Sequence, residues 1–157
     1  MSALKSFDRV AHLYDGTRGV PAEVAQAIGA GIASLLPRGD APPRLLEIGI
    51  GTGRVAVPVA GEGVRVAGAD ISRGMLNVAR EKRGGLDLVL AEAAHQPFAS
   101  ASFDAVLFVH VLHLVPDVEA TLAAALRVVR PGGLVLLCQT ERGESAMLET
   151  HARVRRR

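Results

Sequence analysis

The stretch Leu45-Leu46-Glu47-Ile48-Gly49-Ile50-Gly51-Thr52-Gly53 constrains the fold more than any other part of the chain. An apolar run of strand type leads into a turn of alternating glycines, with a carboxylate just ahead of the first. Glycine lacks the Cβ that would hold a ligand away from the backbone, and it tolerates the positive φ values of a tight strand-to-helix turn. A nucleotide-like ligand can therefore lie directly against the main chain. G-x-G-x-G also occurs in ordinary turns, so the surroundings decide between the two readings.

Those surroundings repeat the theme. Arg65-Val66-Ala67-Gly68-Ala69-Asp70 reads as a second buried strand ending in an acid, 21 residues after Gly49. In a βαβ unit such an acid sits at the carboxyl end of the neighbouring strand, where its two oxygens can accept from both hydroxyls of a ribose. A third strand over 86–91 runs into Glu92 and Ala93, and a fourth covers 103–110. A single carboxylate is usually a solvated turn residue. Acids at three successive strand ends form a pattern that separate turns do not explain.

The rest of the chain alternates helix and strand. The patterns predict helices over 5–14, 21–36, 54–60, 73–83 and 117–129, with further strands near 45–48 and over 133–139. Gly16 and Gly19 mark a turn after the first helix. Pro21 suits a first helical turn, Ser72 suits an N-cap, and Pro131-Gly132-Gly133 stops the last helix. Pro58 predicts that the helix after the glycine loop is kinked or short. Such alternation implies an α/β, Rossmann-like, doubly wound fold: a mainly parallel sheet with helices on both faces and ligands at the carboxyl ends of its strands.

With these elements in place, the chain resembles the class I S-adenosylmethionine-dependent methyltransferases, in particular the small-molecule group related to the ubiquinone and menaquinone biosynthesis enzymes. The resemblance is carried by LLEIGIGTGR (45–54), GADISRGML (68–76), AEAAHQPFASASFDAV (91–106), HVLHLVPD (110–117) and LRVVRPGGLVLL (126–137). Five motifs in the family's order and spacing are far more specific than one glycine loop. The opening Phe7-Asp8-Arg9-Val10-Ala11-His12-Leu13-Tyr14-Asp15 is similar to the family's amino-terminal segment, which folds over the cofactor.

The resemblance implies S-adenosyl-L-methionine as cofactor and assigns residues to it. Gly49, Gly51, Thr52 and Gly53 form the loop beneath the methionine portion, and Glu47 orients the loop and the ammonium end. Asp70 holds the ribose, and Ile71 and Met75 meet the adenine. Glu92 and the Ala93 backbone face its amino edge, where the family often has Asp in place of Glu92. His110 borders the methionine chain. Methyl transfer from a sulfonium gains mainly from alignment in a dry site, and a base matters only where the acceptor must lose a proton. His110, His113, His12 and Tyr14 are the candidates for that base, although any one of them is more often simply packed or hydrogen-bonded. No convincing metal ligand set accompanies His110 and His113.

Length and composition fit one domain over residues 1–157, with 49% apolar content to fill its core. It divides into a helical cap over 1–40, a cofactor-binding α/β core over 44–140, and a C-terminal helix or truncated end over 141–157. No apolar run approaches the ~20 residues of a membrane span, and no signal-type segment opens the chain, so the expected location is cytoplasmic. Lone Cys138 reads as a buried small hydrophobe. Four arginines and no acid between 151 and 157 more than account for the net charge of +2, which argues against a nucleic-acid surface.

The family's fold closes with an antiparallel strand pair, and residues 141–157 are expected to supply only the helix before it. Strand 134–138 would then be a bare apolar edge and a route to homo-oligomers. Three readings follow. The first is a methyltransferase for a small-molecule acceptor, and the second a non-catalytic or truncated module that binds the same cofactor. The third is an NAD-dependent oxidoreductase, which expects G-x-G-x-x-G, whereas Gly53 stands one position early.

Overall fold

The computed structural model describes residues 7–8, 11–18, 21–82, 84–139 and 150–153. Arg44–Ile48 (β1) forms the middle of the sheet, with Leu45, Leu46 and Ile48 fully buried, as a strand covered on both faces requires. It pairs in parallel with Arg65–Asp70 (β2) on one side and Phe103–Val109 (β4) on the other. Asp87–Leu90 (β3), Val129–Cys138 (β5) and Thr150–Arg153 (β6) complete the order β3-β2-β1-β4-β5-β6. The chain thus steps outward from β1 through β2 to β3 and then crosses to the far side of β1. At that reversal the connections leave in opposite directions and a crevice opens beyond the strand ends.

Side-chain alternation along the strands builds two apolar layers. Leu45, Val66, Ala105, Leu107 and Leu136 pack with Ile32 of α2 (Ala22–Leu35), Val59 of α3 (Ala56–Gly61) and Leu76 of α4 (Arg73–Glu81). Leu46, Ile48, Ala67, Val106 and Phe108 face the opposite way, toward Ala125 and Val128 of α5 (Val118–Val128). The expected α/β architecture with helices on both faces is therefore the observed one. No helix among the described residues is long and apolar enough to cross a membrane.

Local chemistry sets the helix limits. Ser72 caps α4, its hydroxyl oxygen accepting from the Met75 N–H at 3.1 Å, and the Asp117 carboxylate caps α5 through the Ala120 N–H at 2.8 Å. Pro58 is the third residue of α3, where its missing N–H is one of the groups left unpaired in any first turn. The helix is accordingly short, at six residues. Helix α5 stops at Val128, and β5 begins at once, with a register shift against β4 that absorbs Pro131 and Gly132.

Two expectations are corrected. The first helix is α1, Ala11–Arg18, and it runs through Gly16 where a turn was expected. Docking of Asp15 against α4 and the glycine loop outweighs the poor helix propensity of a single glycine. The second correction concerns the tail, expected to be helical and to leave strand 134–138 bare. Thr150–Arg153 instead pairs antiparallel with it, Leu134 opposite Arg153 and Leu137 opposite Thr150. A hydrophobic edge with unpaired backbone groups takes the nearest available partner, here the chain's own continuation. The ground for homo-oligomers through that edge is thereby removed. Among the described residues a single antiparallel strand follows β5, rather than a pair. The remaining tail residues, 140–149 and 154–157, lie outside the described residues, as do 5, 6, 9 and 10 of the expected first helix.

Candidate functional site

A cleft of about 840 Å³, counting its open mouth, lies at the carboxyl ends of β1, β2, β3 and β4. Its floor is the glycine loop. Gly49 and Gly51 both line the cleft, with φ of 76° and 56°. A Cβ at Gly49 would stand 2.4 Å from the Val111 side chain, so the loop after β4 can close on the floor only over a bare Cα. At Gly51 the same Cβ would meet no protein atom within 4 Å. It would project into open space, and that is where a ligand lying on the backbone belongs.

Asp70, at the end of β2, forms the next part of the wall. Its Oδ2 accepts from the Gly51 N–H and its Oδ1 from the Ser72 N–H, each at 2.8 Å. The acid thus fixes the glycine loop to the start of α4 while both oxygens keep further lone pairs for ligand hydroxyls. Burial pushes its carboxyl above the usual range, and the nearby Asp8 adds to this, against the pull of backbone N–H groups at Ser72, Gly51 and Ile71. Ile71, Met75, Glu92 and Ala93 continue the wall. The Glu92–Ala93 turn is held from behind, where the Gln96 side-chain amide donates to both carbonyls and Arg127 of α5 donates to the carbonyls of Gln96 and Phe98.

The opposite wall comes from 109–121. His110 is in it, with φ of 49° and its N–H donated to the Cys138 carbonyl at 3.1 Å. A left-handed non-glycine residue at a strand end is uncommon, and here it turns the chain into the cleft. Leu114, Val115, Pro116, Asp117 and Thr121 follow. The sequence reading assigned none of these five, although their place just after the β4 end, at the reversal of strand order, was the available signal. Phe7 and Tyr14 complete the lining, their rings 6.1 Å apart in an edge-to-face pair.

Three expected cofactor residues do not line the cleft. Glu47 lies beneath the loop, 2% exposed, on the sheet face covered by α3. Its carboxyl is pushed up to about 8, chiefly by burial and further by Asp70, against Arg54 and the Ala56 N–H; its Oε2 has no hydrogen-bond partner. Thr52 is 1% exposed and donates its hydroxyl to Asp15 Oδ1 at 2.6 Å. Gly53 packs toward Leu86 and Ala79. The turn sends Thr52 to the side away from Gly51, toward Asp15, and Gly53 follows it away from the cleft against Ala79 of α4 and Val57 of α3. Of the four candidates for a base, His110 and Tyr14 meet in the cleft, whereas His12 and His113 are exposed outside it.

The model of the methyltransferase domain family matches residues 46–137, more than half of the chain. Among curated proteins, the chain is 34% identical to a demethylmenaquinone methyltransferase of Renibacterium salmoninarum over 142 residues, covering 85% of this chain and 56% of that protein. It is 39% identical to the same enzyme of Thermobifida fusca over 100 residues, covering 60% and 42%. The chain thus spans about half the length of the curated relatives it matches. A solved SAM-dependent methyltransferase of Thermotoga maritima superposes with a TM-score of 0.67 at 27% identity, covering 87% of this chain and 61% of that one.

Proposed function

The chain belongs to the methyltransferase domain family, and on that premise we propose that it binds S-adenosylmethionine in the cleft and transfers its methyl group to a small molecule. The observation that carries this reading is the open space above Gly51, flanked by Asp70 at one end and by the His110 wall at the other. In the proposed pose the Asp70 oxygens accept from the ribose hydroxyls. Ile71, Met75 and Ala93 enclose the adenine, with Glu92 toward its amino edge. Gly49 and Gly51 lie under the methionine chain, and His110 borders it. Glu47, Thr52 and Gly53 shape the loop from beneath.

When bound, the sulfonium supplies a methyl carbon already activated for in-line displacement. The residues present contribute position and exclusion of water. Phe7 and Tyr14 cover the cleft, and Val111, Leu114 and Val115 make its inner wall apolar. Where the acceptor must lose a proton, His110 and Tyr14 are the two of the four candidate bases that line the cleft, together with the carboxylates of Glu92 and Asp117. The relatives named as demethylmenaquinone methyltransferases support a small-molecule acceptor of the quinone class.

Calorimetric titration with S-adenosylhomocysteine and, separately, with NAD tests the proposal. Binding of the first alone is expected. Binding of NAD alone would overturn it in favour of an oxidoreductase. Methyl-transfer assays over phenols, quinols, amines and small acids then separate an enzyme from a module that only binds the cofactor.

A further inference from the structure

Thr52 belongs to the glycine loop yet faces away from the cleft, and the partner it finds there is a carboxylate of the N-terminal segment. Its hydroxyl donates to Asp15 Oδ1 at 2.6 Å, while Lys82 beyond the end of α4 approaches Asp15 Oδ2 at 2.6 Å. At the other end of the same segment Asp8 Oδ1 accepts from the Ser72 hydroxyl and from the Gly74 N–H, each at 2.7 Å. Phe7 and Tyr14, each one residue ahead of one of these carboxylates, bring their rings together at the cleft.

We infer that Asp8 and Asp15 are positioning residues that strap the N-terminal segment across the cleft, so that Thr52 and Gly74 serve to anchor the strap and thereby retain the ligand. The inference rests on the cofactor reading of the cleft. Three independent features carry it. The Thr52 end of its bond is fully buried, so water does not compete for the hydroxyl. Asp15 is held by an acceptor-only carboxylate between a neutral donor and a cation, which fixes both oxygens. Gly74 is bare for a reason: a Cβ there would stand 3.1 Å from both the Asp8 carbonyl oxygen and its Oδ1. The first turn of α4 is cut to admit the strap.

The strap and the ligand share the glycine loop. Thr52 follows Gly51, whose N–H is held by Asp70 at the proposed ribose position. A ligand under Phe7 and Tyr14 leaves only when the strap lifts, so weakening an anchor should speed release and lower affinity.

Tyr14 makes this measurable, because it is the chain's one tyrosine and the chain has no tryptophan. Its emission reports the strap alone. Acrylamide quenching of the free protein, titration with S-adenosylhomocysteine, and urea unfolding are to be run on the 157-residue chain and on Asp15→Ala, Thr52→Val, Thr52→Ser and Gly74→Ala. Asp15→Ala and Thr52→Val should each raise Tyr14 quenching and raise the dissociation constant about tenfold, as expected if the closed strap loses about a factor of ten in population. Their double variant should do no more than the worse single, since both remove one bond. Thr52→Ser keeps the hydroxyl and should behave as the parent chain. Gly74→Ala should weaken binding while leaving the urea midpoint equal or higher, because alanine favours the helix. A merely structural role would move both together.

Unchanged quenching in Asp15→Ala and Thr52→Val would overturn the strap. Raised quenching with an unchanged dissociation constant would overturn its bearing on the ligand. Failure of the parent chain to bind S-adenosylhomocysteine would instead remove the cofactor reading, and the quenching would still decide whether the strap exists.

Discussion

Asp70 does two jobs at one atom pair: it joins the Gly51 N–H to the Ser72 N–H, and it presents its remaining lone pairs to the cleft. Asp70→Ala is expected to weaken S-adenosylhomocysteine binding by about 1.5–3 kcal/mol, the range for hydrogen bonds to a charged group, in a domain that stays folded. Calorimetry beside circular dichroism checks it, and full affinity in a folded variant would remove the ribose assignment. Gly51→Val places a β-branched residue at φ of 56°, with its side chain in the ligand's space. The backbone cost is about 1–2 kcal/mol, so secondary structure should persist while binding is lost; a variant that still binds would make the loop a mere turn. The place of both residues in the cleft was legible from residue type and spacing. Thr52 was not, because the side to which a turn residue points depends on the φ of its neighbours. The aromatic-acid pairs Phe7-Asp8 and Tyr14-Asp15, seven residues apart, were a visible signal left unread beyond the family likeness.

Elements were readable wherever one period dominated. Strand β2 has the limits expected from its apolar run and terminal acid, and α4 starts where its serine cap said it would. Misreadings occurred where tertiary contacts overrule local preference. Gly16 sits inside α1 because that helix is tied down, and β6 forms because β5 offers an open edge. The second point is testable. A chain ending after Gln139 leaves the apolar residues Leu134–Leu137 on an exposed edge, and it should self-associate at concentrations where the 157-residue chain does not. Light scattering on the two chains side by side decides this, and a truncated chain that remains monomeric would mean that β6 is dispensable as a cover.

On the scale of the whole molecule, Glu47 makes stability depend on pH in a direction opposite to that of an ordinary surface carboxylate. The folded protein keeps a proton on it up to about pH 8, whereas the unfolded chain gives that proton up near 4.5. The folded state therefore holds more protons between those values, and stability should fall as pH rises through them, by on the order of a few kcal/mol. Glu47→Gln mimics the protonated form and should flatten the decline. Urea midpoints at about pH 5 and about pH 9 for both proteins measure the difference, and equal slopes would show that the buried acid ionises freely. The order of the strands has a consequence of its own. Arg44, at the start of β1, donates its N–H to the carboxylate of Asp104, within β4, across sixty residues of chain, and the cleft exists only once that pairing has closed. Its two walls are made by segments that leave the ribosome far apart in time. A nascent chain can assemble β1, β2 and β3 early, yet the cleft has only one wall until the stretch through Thr121 has emerged, and its glycine loop must wait for that long-range closure.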